Sequence, residues 1–309
     1  MSSPDSNAPP HMLLDPVALQ RLATMTLLAR YVVEGTLWGI HRSPHHGQSV
    51  EFAEHKTYAP GDDLRHIDWK AYGKFDKYYV KKYEEETELW GYLLLDCSGS
   101  MGYARAGAVT KLTYAAYVAA SIAYLLLRQQ DRVGVLRFAA GERLYLPPRS
   151  RAGHLADVME ALEEAQPSGP TDLPGVLAQV SEVARRRSLV VLLSDLFDPS
   201  PEVPGLLRKL RARGHEVVVF QILDADEVEF PFEDLTVFES LEGPERVLAD
   251  PRGIREAYLQ ELTRFLDATR DACVGGDIEY HRITTSTPLD EALVEFMRSH
   301  ESRVRGPRS

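Results

Sequence analysis

Cysteine is nearly absent: Cys97 and Cys273 are the whole complement of the 309 residues. Two thiols make neither a disulfide framework nor a thiolate metal cluster, and they fit a reduced, cytoplasmic protein. Positive charge is also in deficit. The formal net charge of −11 excludes a general nucleic-acid binder, because backbone phosphates would be repelled. The basic residues that do cluster, Arg185, Arg186 and Arg187, then Arg208, Lys209, Arg211 and Arg213, fall at the ends of expected helices, where cations suit the negative end of the dipole. A long apolar run is missing too. The best candidate, Leu112 to Leu127, makes a helix of about 24 Å at ~1.5 Å per residue, short of a roughly 30 Å hydrocarbon core. It also carries Thr113, Ser121 and three tyrosines, Tyr114, Tyr117 and Tyr124, so a buried helix is expected there and no membrane span. Met1 to Pro10 has neither a basic start nor an apolar stretch, which argues against a signal peptide and for a disordered tail. A second short tail is expected over 301–309.

What is present is the composition of an ordinary globular protein, 44% hydrophobic and 26% charged, long enough for one sizeable core. From Asp15 to Glu34, apolar residues recur at three- and four-residue steps (Leu19, Leu22, Met25, Ala29, Val32), which predicts an amphipathic helix. A polar stretch with histidines, Gly39 to Gly47, then leads to an extended segment, Val50 to Tyr58. The spacing of His41, His45, His46 and His55 matches no zinc pattern, so a polar loop is the expectation. Strand character returns at Tyr78 to Tyr83. From Leu89 onward, short apolar runs alternate with helical patterns. Tyr92–Leu95, Leu189–Leu193 and Glu216–Leu223 read as strands buried on both faces, and Thr110–Gln130, Leu173–Arg187 and Ile254–Val274 as helices. Thr236 to Leu248 reads as a hairpin turning at Gly243-Pro244, and Pro288 to His300 as a final helix. This alternation predicts an α/β, Rossmann-like fold, a mostly parallel sheet flanked by helices, over 89–300. A helix and extended segment over 11–88 precede it.

Two of the apolar strands end in aspartate, Leu95-Asp96 and Ser194-Asp195. Ligands of open α/β sheets gather beyond the carboxyl ends of the strands. An aspartate leaving a hydrophobic strand there must be hydrated, capped or metal-bound. Asp96 opens Asp-Cys-Ser-Gly-Ser, which puts a carboxylate and the hydroxyls of Ser98 and Ser100 on one tight loop. Thr171 lies in a second loop, within Gly169-Pro170-Thr171-Asp172. Taken singly, these residues also suit helix and turn capping. Taken together, Asp96, Ser98, Ser100, Thr171 and Asp195 form an oxygen-only donor set suited to Mg²⁺ or Mn²⁺. With only two carboxylates, the ion stays electrophilic enough to accept a further Asp or Glu from a partner. Cys97, between the donors, is expected to pack inward.

This pattern, Asp-x-Ser-x-Ser with a threonine in a second loop and an aspartate after a later strand, resembles the metal-ion-dependent adhesion site of von Willebrand factor A-like domains. The resemblance covers roughly Leu89 to His300. It implies that Ser98 and Ser100 coordinate directly, that Thr171 joins when a partner binds, and that Asp96 and Asp195 act mainly through water. Upstream, Tyr58-Ala-Pro-Gly-Asp-Asp-Leu-Arg-His-Ile-Asp-Trp69 is similar to the hallmark of the prokaryotic domain-of-unknown-function 58 family. Its members carry an A-like domain and are typically encoded beside MoxR-type AAA+ ATPases. Many have membrane helices before this block, where this sequence has none. Asp62, Asp63, Arg65, His66 and Asp68 themselves read as a salt-bridged clasp around Trp69.

The function this implies is a non-enzymatic, metal-dependent protein-interaction module, acting with a MoxR-type ATPase or its client in the maturation or remodelling of protein complexes. A monomer is expected, since no exposed apolar stripe stands out. The competing readings are a metal-dependent hydrolase and a scaffold with a purely structural metal. The hydrolase needs a general base or a second metal near Asp96, and the motif loops offer none with obvious spacing. His154 and Glu164 are the nearest in sequence, on a helix more suited to packing or to facing solvent.

Overall fold

The computed structural model describes residues 24–42, 55–57, 79–81, 88–184, 186–198 and 200–305. Two compact units divide the chain: His41–Glu88, and Met1–Ile40 together with Leu89–Ser309. In the smaller unit the described part is an antiparallel pair, β1 (His55–Thr57) and β2 (Tyr79–Lys81), with Lys56 opposite Val80. The expected Tyr58–Trp69 block and His45 and His46 lie outside the described residues, as do Met1–Pro10 and the start of the first helix.

The larger unit is built on a six-stranded sheet. Its strands are β3 (Trp90–Asp96), β4 (Arg132–Ala139), β5 (Glu142–Arg149), β6 (Ser188–Ser194), β7 (Glu216–Leu223) and β10 (Glu279–Thr284), in the spatial order β10-β7-β6-β3-β4-β5. Every neighbouring pair is parallel except β4 and β5, which form an antiparallel hairpin at one edge. The two prolines of β5, Pro147 and Pro148, sit on this edge strand, where a missing N–H breaks no ladder on the outer side. A register shift between Val133 and Val135 places Gly134 against Pro148, where a Cβ would crowd the ring.

Both faces of the sheet are covered, and the period-two alternation of the strands sorts their side chains between two cores. On one face, Leu93, Leu95, Val133, Val135, Val191, Leu193, Phe220 and Ile222 meet α1 (Met25–Arg42), α2 (Lys111–Arg128), α3 (His154–Glu163) and α8 (Leu289–Arg305). On the other, Tyr92, Leu94, Leu136, Phe138, Leu192 and Val219 meet α4 (Leu173–Val183), α5 (Val203–Ala212) and the end of α7 (Pro251–Val274). Fully burying each such side chain stabilises by about 1.5–3 kcal/mol before entropy is counted, so these layers fix the strand ends that carry the polar residues. The architecture is the mixed α/β one expected. The apolar run that opens with Lys111 is the central buried helix α2, and no helix among the described residues is long and apolar enough to cross a membrane.

Several boundaries differ from those expected. The first helix does not stop at Glu34 but runs on to Arg42, through the start of the stretch read as a loop. It also joins the larger unit rather than a separate 11–88 segment. Leu28, Ala29, Val32 and Val33 enter the first core, and the Met25 N–H donates to Glu163 Oε1 at 2.7 Å. The last helix continues past His300 to Arg305, so most of the expected 301–309 tail is helical and only 306–309 lie outside the described residues. A short helix not expected from the sequence, α6 (Ala225–Glu229), is closed by a capping box between Asp224 and Glu227. The hairpin expected over 236–248 is present as β8 (Thr236–Glu239) and β9 (Arg246–Ala249), an isolated two-stranded ribbon.

Candidate metal centre

The central strand β3 has β4 on one side and β6 on the other, so the connections leaving the carboxyl ends of β3 and β6 diverge. That divergence opens the crevice in which α/β folds bind ligands, and Asp96 ends β3 at its floor. Its side chain is fully buried. Oδ1 accepts the Ser98 N–H at 2.9 Å, while Oδ2 accepts the hydroxyls of Thr171 at 3.1 Å and Ser194 at 2.6 Å. The hydroxyl oxygens of Ser98 and Ser100 lie 3.2 Å apart.

Backbone hydrogen bonds hold the contributing loops together. Cys97 N–H donates to Phe138 O at 2.8 Å, Ser168 N–H to Cys97 O at 2.8 Å, Gly99 N–H to Gly169 O at 2.7 Å, and Ala140 N–H to Pro170 O at 2.7 Å. Gly99 starts a single 3-10 turn, Gly99–Gly102, that turns Ser100 back over Ser98. Cys97 is buried, with its thiol 3.6 Å from Leu95 O.

Four of the five expected residues, Asp96, Ser98, Ser100 and Thr171, thus converge on one place. Asp195 lies just beyond β6 and is used differently. Its Oδ1 accepts the Phe197 N–H at 3.0 Å, and its Oδ2 accepts from the Lys111 ammonium at 2.8 Å. Lys111 also reaches Glu227 Oε1 at 2.5 Å. Burial alone would lower the Lys111 pKa, but Asp195 and Glu227 outweigh it and hold the ammonium above its ordinary value. Asp96 is pushed the other way. Burial, and then the negative charge of Asp195, raise its carboxyl to about 6, against the opposing hydrogen bonds from Ser194 and Ser98.

These observations test whether a hard divalent ion suits the residues present. All donors are oxygen, the two carboxylates repel one another in a buried setting, and the hydroxyls stand within reach of each other. A cation among them relieves that repulsion, so the donor set fits, with Asp96, Ser98, Ser100 and Thr171 as the holding residues and Asp195 beside them. Among the described residues no group of three or more His, Cys, Asp or Glu side chains is arranged to hold a metal; an ion at this candidate centre would be held mostly by hydroxyls.

Sequence reasoning missed three participants. Ser194 sits directly before Asp195 inside a buried strand, and a hydroxyl there needs a partner, which is Asp96. Lys111 opens the apolar helix α2, and nothing local distinguishes it from a solvated charge at a helix start. Glu242, in the turn of the β8–β9 hairpin, brings its Oε1 to 3.4 Å from the Ser100 N–H. Nothing local in the sequence points to it.

Of the two proposed bases, His154 stands apart from this centre. His154 is buried and its Nε2 lies 2.7 Å from Val133 O, at the amino end of β4, while Asp96 is paired with Phe138 near that strand's carboxyl end. Glu164 is exposed at the end of α3 and lines a cleft of about 510 Å³ with Cys97, Arg137 and Arg143.

Over 231 residues the chain is 29% identical to uncharacterised proteins of Mycobacterium bovis and Mycobacterium tuberculosis, an overlap of 72% of this chain and 72% of each of theirs. Among solved structures it is similar to the conserved hypothetical protein BatB from Bacteroides thetaiotaomicron, at 15% identity and a TM-score of 0.43, covering 69% of this chain and all of that one. It is also similar to the SpRpn10 VWA domain, at 10% identity and a TM-score of 0.38, covering 67% of this chain and 94% of that one. A family model matches residues 54–265, more than half of the sequence, and the chain belongs to the family it describes, protein of unknown function DUF58.

Proposed function

We propose that this chain is a non-enzymatic protein-interaction module whose grip depends on Mg²⁺ or Mn²⁺ at Asp96, Ser98, Ser100 and Thr171, with Asp195 supporting. The observation that carries the reading is the convergence on Asp96 of the Ser98 N–H and the Thr171 hydroxyl, beside two serine hydroxyls 3.2 Å apart. When bound, the ion supplies a Lewis-acidic position for an outside carboxylate. The protein contributes three neutral hydroxyls beside the Asp96 carboxylate, which leaves part of the ion's charge uncompensated and so receptive to an Asp or Glu of a partner. The resemblance of the Tyr58–Trp69 block supports a MoxR-type AAA+ ATPase, or its client, as that partner, with a role in maturing or remodelling protein complexes in the cytoplasm.

One base that the hydrolase reading offers, the His154 imidazole, is engaged at the far end of β4. Calorimetric titration of Mg²⁺ and Mn²⁺ into the wild type, Asp96→Ala and the milder Ser100→Ala tests the metal. Equal and negligible heats in all three would sink the reading. Capture of a MoxR-type ATPase from the same organism tests the partner, and capture that survives a chelator counts against a metal-bridged contact.

A further inference from the structure

A carboxylate from elsewhere in the chain stands beside the serine loop of the candidate centre. Glu242 Oε1 lies 3.4 Å from the Ser100 N–H, from a position 142 residues further along the chain. The residue before it closes the same face, because a Cβ built on Gly99 would collide with the Leu241 carbonyl. Two consecutive residues of the hairpin turn therefore cover two consecutive residues of the serine loop. Ser240 shapes that turn, its hydroxyl accepting the N–H groups of Glu242 at 3.2 Å and Gly243 at 3.0 Å.

The rest of the hairpin is built to move as a lid. Its strands are four residues each and pair only with each other, and an isolated two-stranded ribbon is marginally stable at best. One face of the ribbon is held by aromatic rings close to the turn: Phe238 stacks on Phe230 at 5.8 Å and meets Phe232 edge-on at 5.4 Å, and Phe230 lies 4.5 Å from Tyr258. Its far side is held by nothing comparable, with Val237, Val247 and Leu248 all more than half exposed. Beneath the turn lies a cavity of about 360 Å³, bordered by Ser100, Phe197, Phe238 and Glu242. A short ribbon held on one face through Phe238, exposed on the other and with a cavity beneath its turn can shift that turn without breaking the main core.

We propose that Glu242 is the centre's internal ligand, a self-carboxylate on the β8–β9 lid that occupies the partner's coordination position until an acidic segment of the partner displaces it. This rests on the metal reading above. Metal affinity is then raised by the chain's own carboxylate, and partner binding is an exchange of one carboxylate for another rather than an addition.

Mn²⁺ titration of the full chain, followed by the paramagnetic signal of free ion and by the water-proton relaxation of bound ion, reads both properties. In Glu242→Ala, Mn²⁺ affinity should fall by roughly tenfold or more, the scale on which metal-site partners act. The relaxation per bound ion should rise as water enters the vacated position, and added acetate should reverse that rise in the variant while leaving the wild type unchanged. Glu245→Ala, on the same exposed turn, should behave as wild type. Equal affinity and relaxation in the wild type and Glu242→Ala would overturn the internal ligand while leaving the metal centre standing. No Mn²⁺ bound by either chain would overturn both.

Discussion

The Lys111 ammonium lies 2.8 Å from Asp195 Oδ2, with side-chain exposures of 0% and 2%, and it reaches Glu227 in the same grasp. Desolvating these groups is costly, and their attraction offsets that cost only while every partner is present. The triad also ties β6, α2 and α6 together beneath the candidate centre, so its integrity governs where Asp195 can stand. Lys111→Met should therefore destabilise by about 3–5 kcal/mol, because the buried Asp195 and the partly buried Glu227 are left without a cation. Urea unfolding measures it. Combining Lys111→Met with Asp195→Asn and Glu227→Gln should recover part of the loss, and a triple variant no more stable than the single one would show that the charge is not the cause.

Gly99 is where the lid presses on the serine loop. Its backbone is not in the left-handed region, so what demands glycine here is space: any Cβ meets the Leu241 carbonyl. Gly99→Ala should cost about 1–3 kcal/mol of stability, as overpacking typically does, or should lift the tip of the hairpin instead. Hydrogen exchange separates the two. Lifting accelerates the amide of Ser100, whose N–H donates to Glu242 Oε1 across the gap between the loops. A variant as stable as wild type with unchanged exchange there would remove the close approach of Leu241.

How much of this was legible beforehand depended on how local each cause is. Asp96 and Asp195 announce themselves because each terminates an apolar run, and Thr171 because it stands in a glycine-proline loop. The helix-strand alternation carries the fold class for the same reason, since burial on two faces demands unbroken apolar strands. Strand order is not local, and neither is the use to which Asp195 is put. Its partner Lys111 is 84 residues away and looks, in sequence, like an ordinary solvated charge at a helix start. Glu242 sits in a turn, Leu-Glu-Gly-Pro-Glu, whose composition reads as exposed. Only the fold brings that turn to Ser100. The full length of β5 was hidden by Pro147 and Pro148, which argue against a strand until it is known to lie on an edge.

The amino ends of β7 and β10 carry a second ionic cluster, at the opposite end of the sheet from the candidate metal centre, whose response to pH is predictable. Glu279 is 4% exposed and takes hydrogen bonds from Ser299, from His281 Nε2 at 2.8 Å and from His300 Nδ1 at 3.3 Å. Burial alone would raise its pKa, but the bonds from His281, His300 and Ser299 outweigh burial and hold it at about 2, below its ordinary 4.5. A carboxyl depressed in this way contributes stability above pH 4.5 that is lost as pH falls towards 2. His300 moves oppositely. Its bond to Glu279, against the effect of burial, raises it above 6.5, so its contribution is fully present below 6.5 and is lost as pH rises through the folded-state value. From this cluster, urea midpoints should plateau between about pH 4.5 and 6.5 and decline on both sides. His300→Ala should flatten the alkaline decline and keep most of the acid one. Glu279→Gln should weaken both and lower the plateau, because the imidazoles lose their shared acceptor. Retention of the full alkaline decline in His300→Ala would assign it to another group.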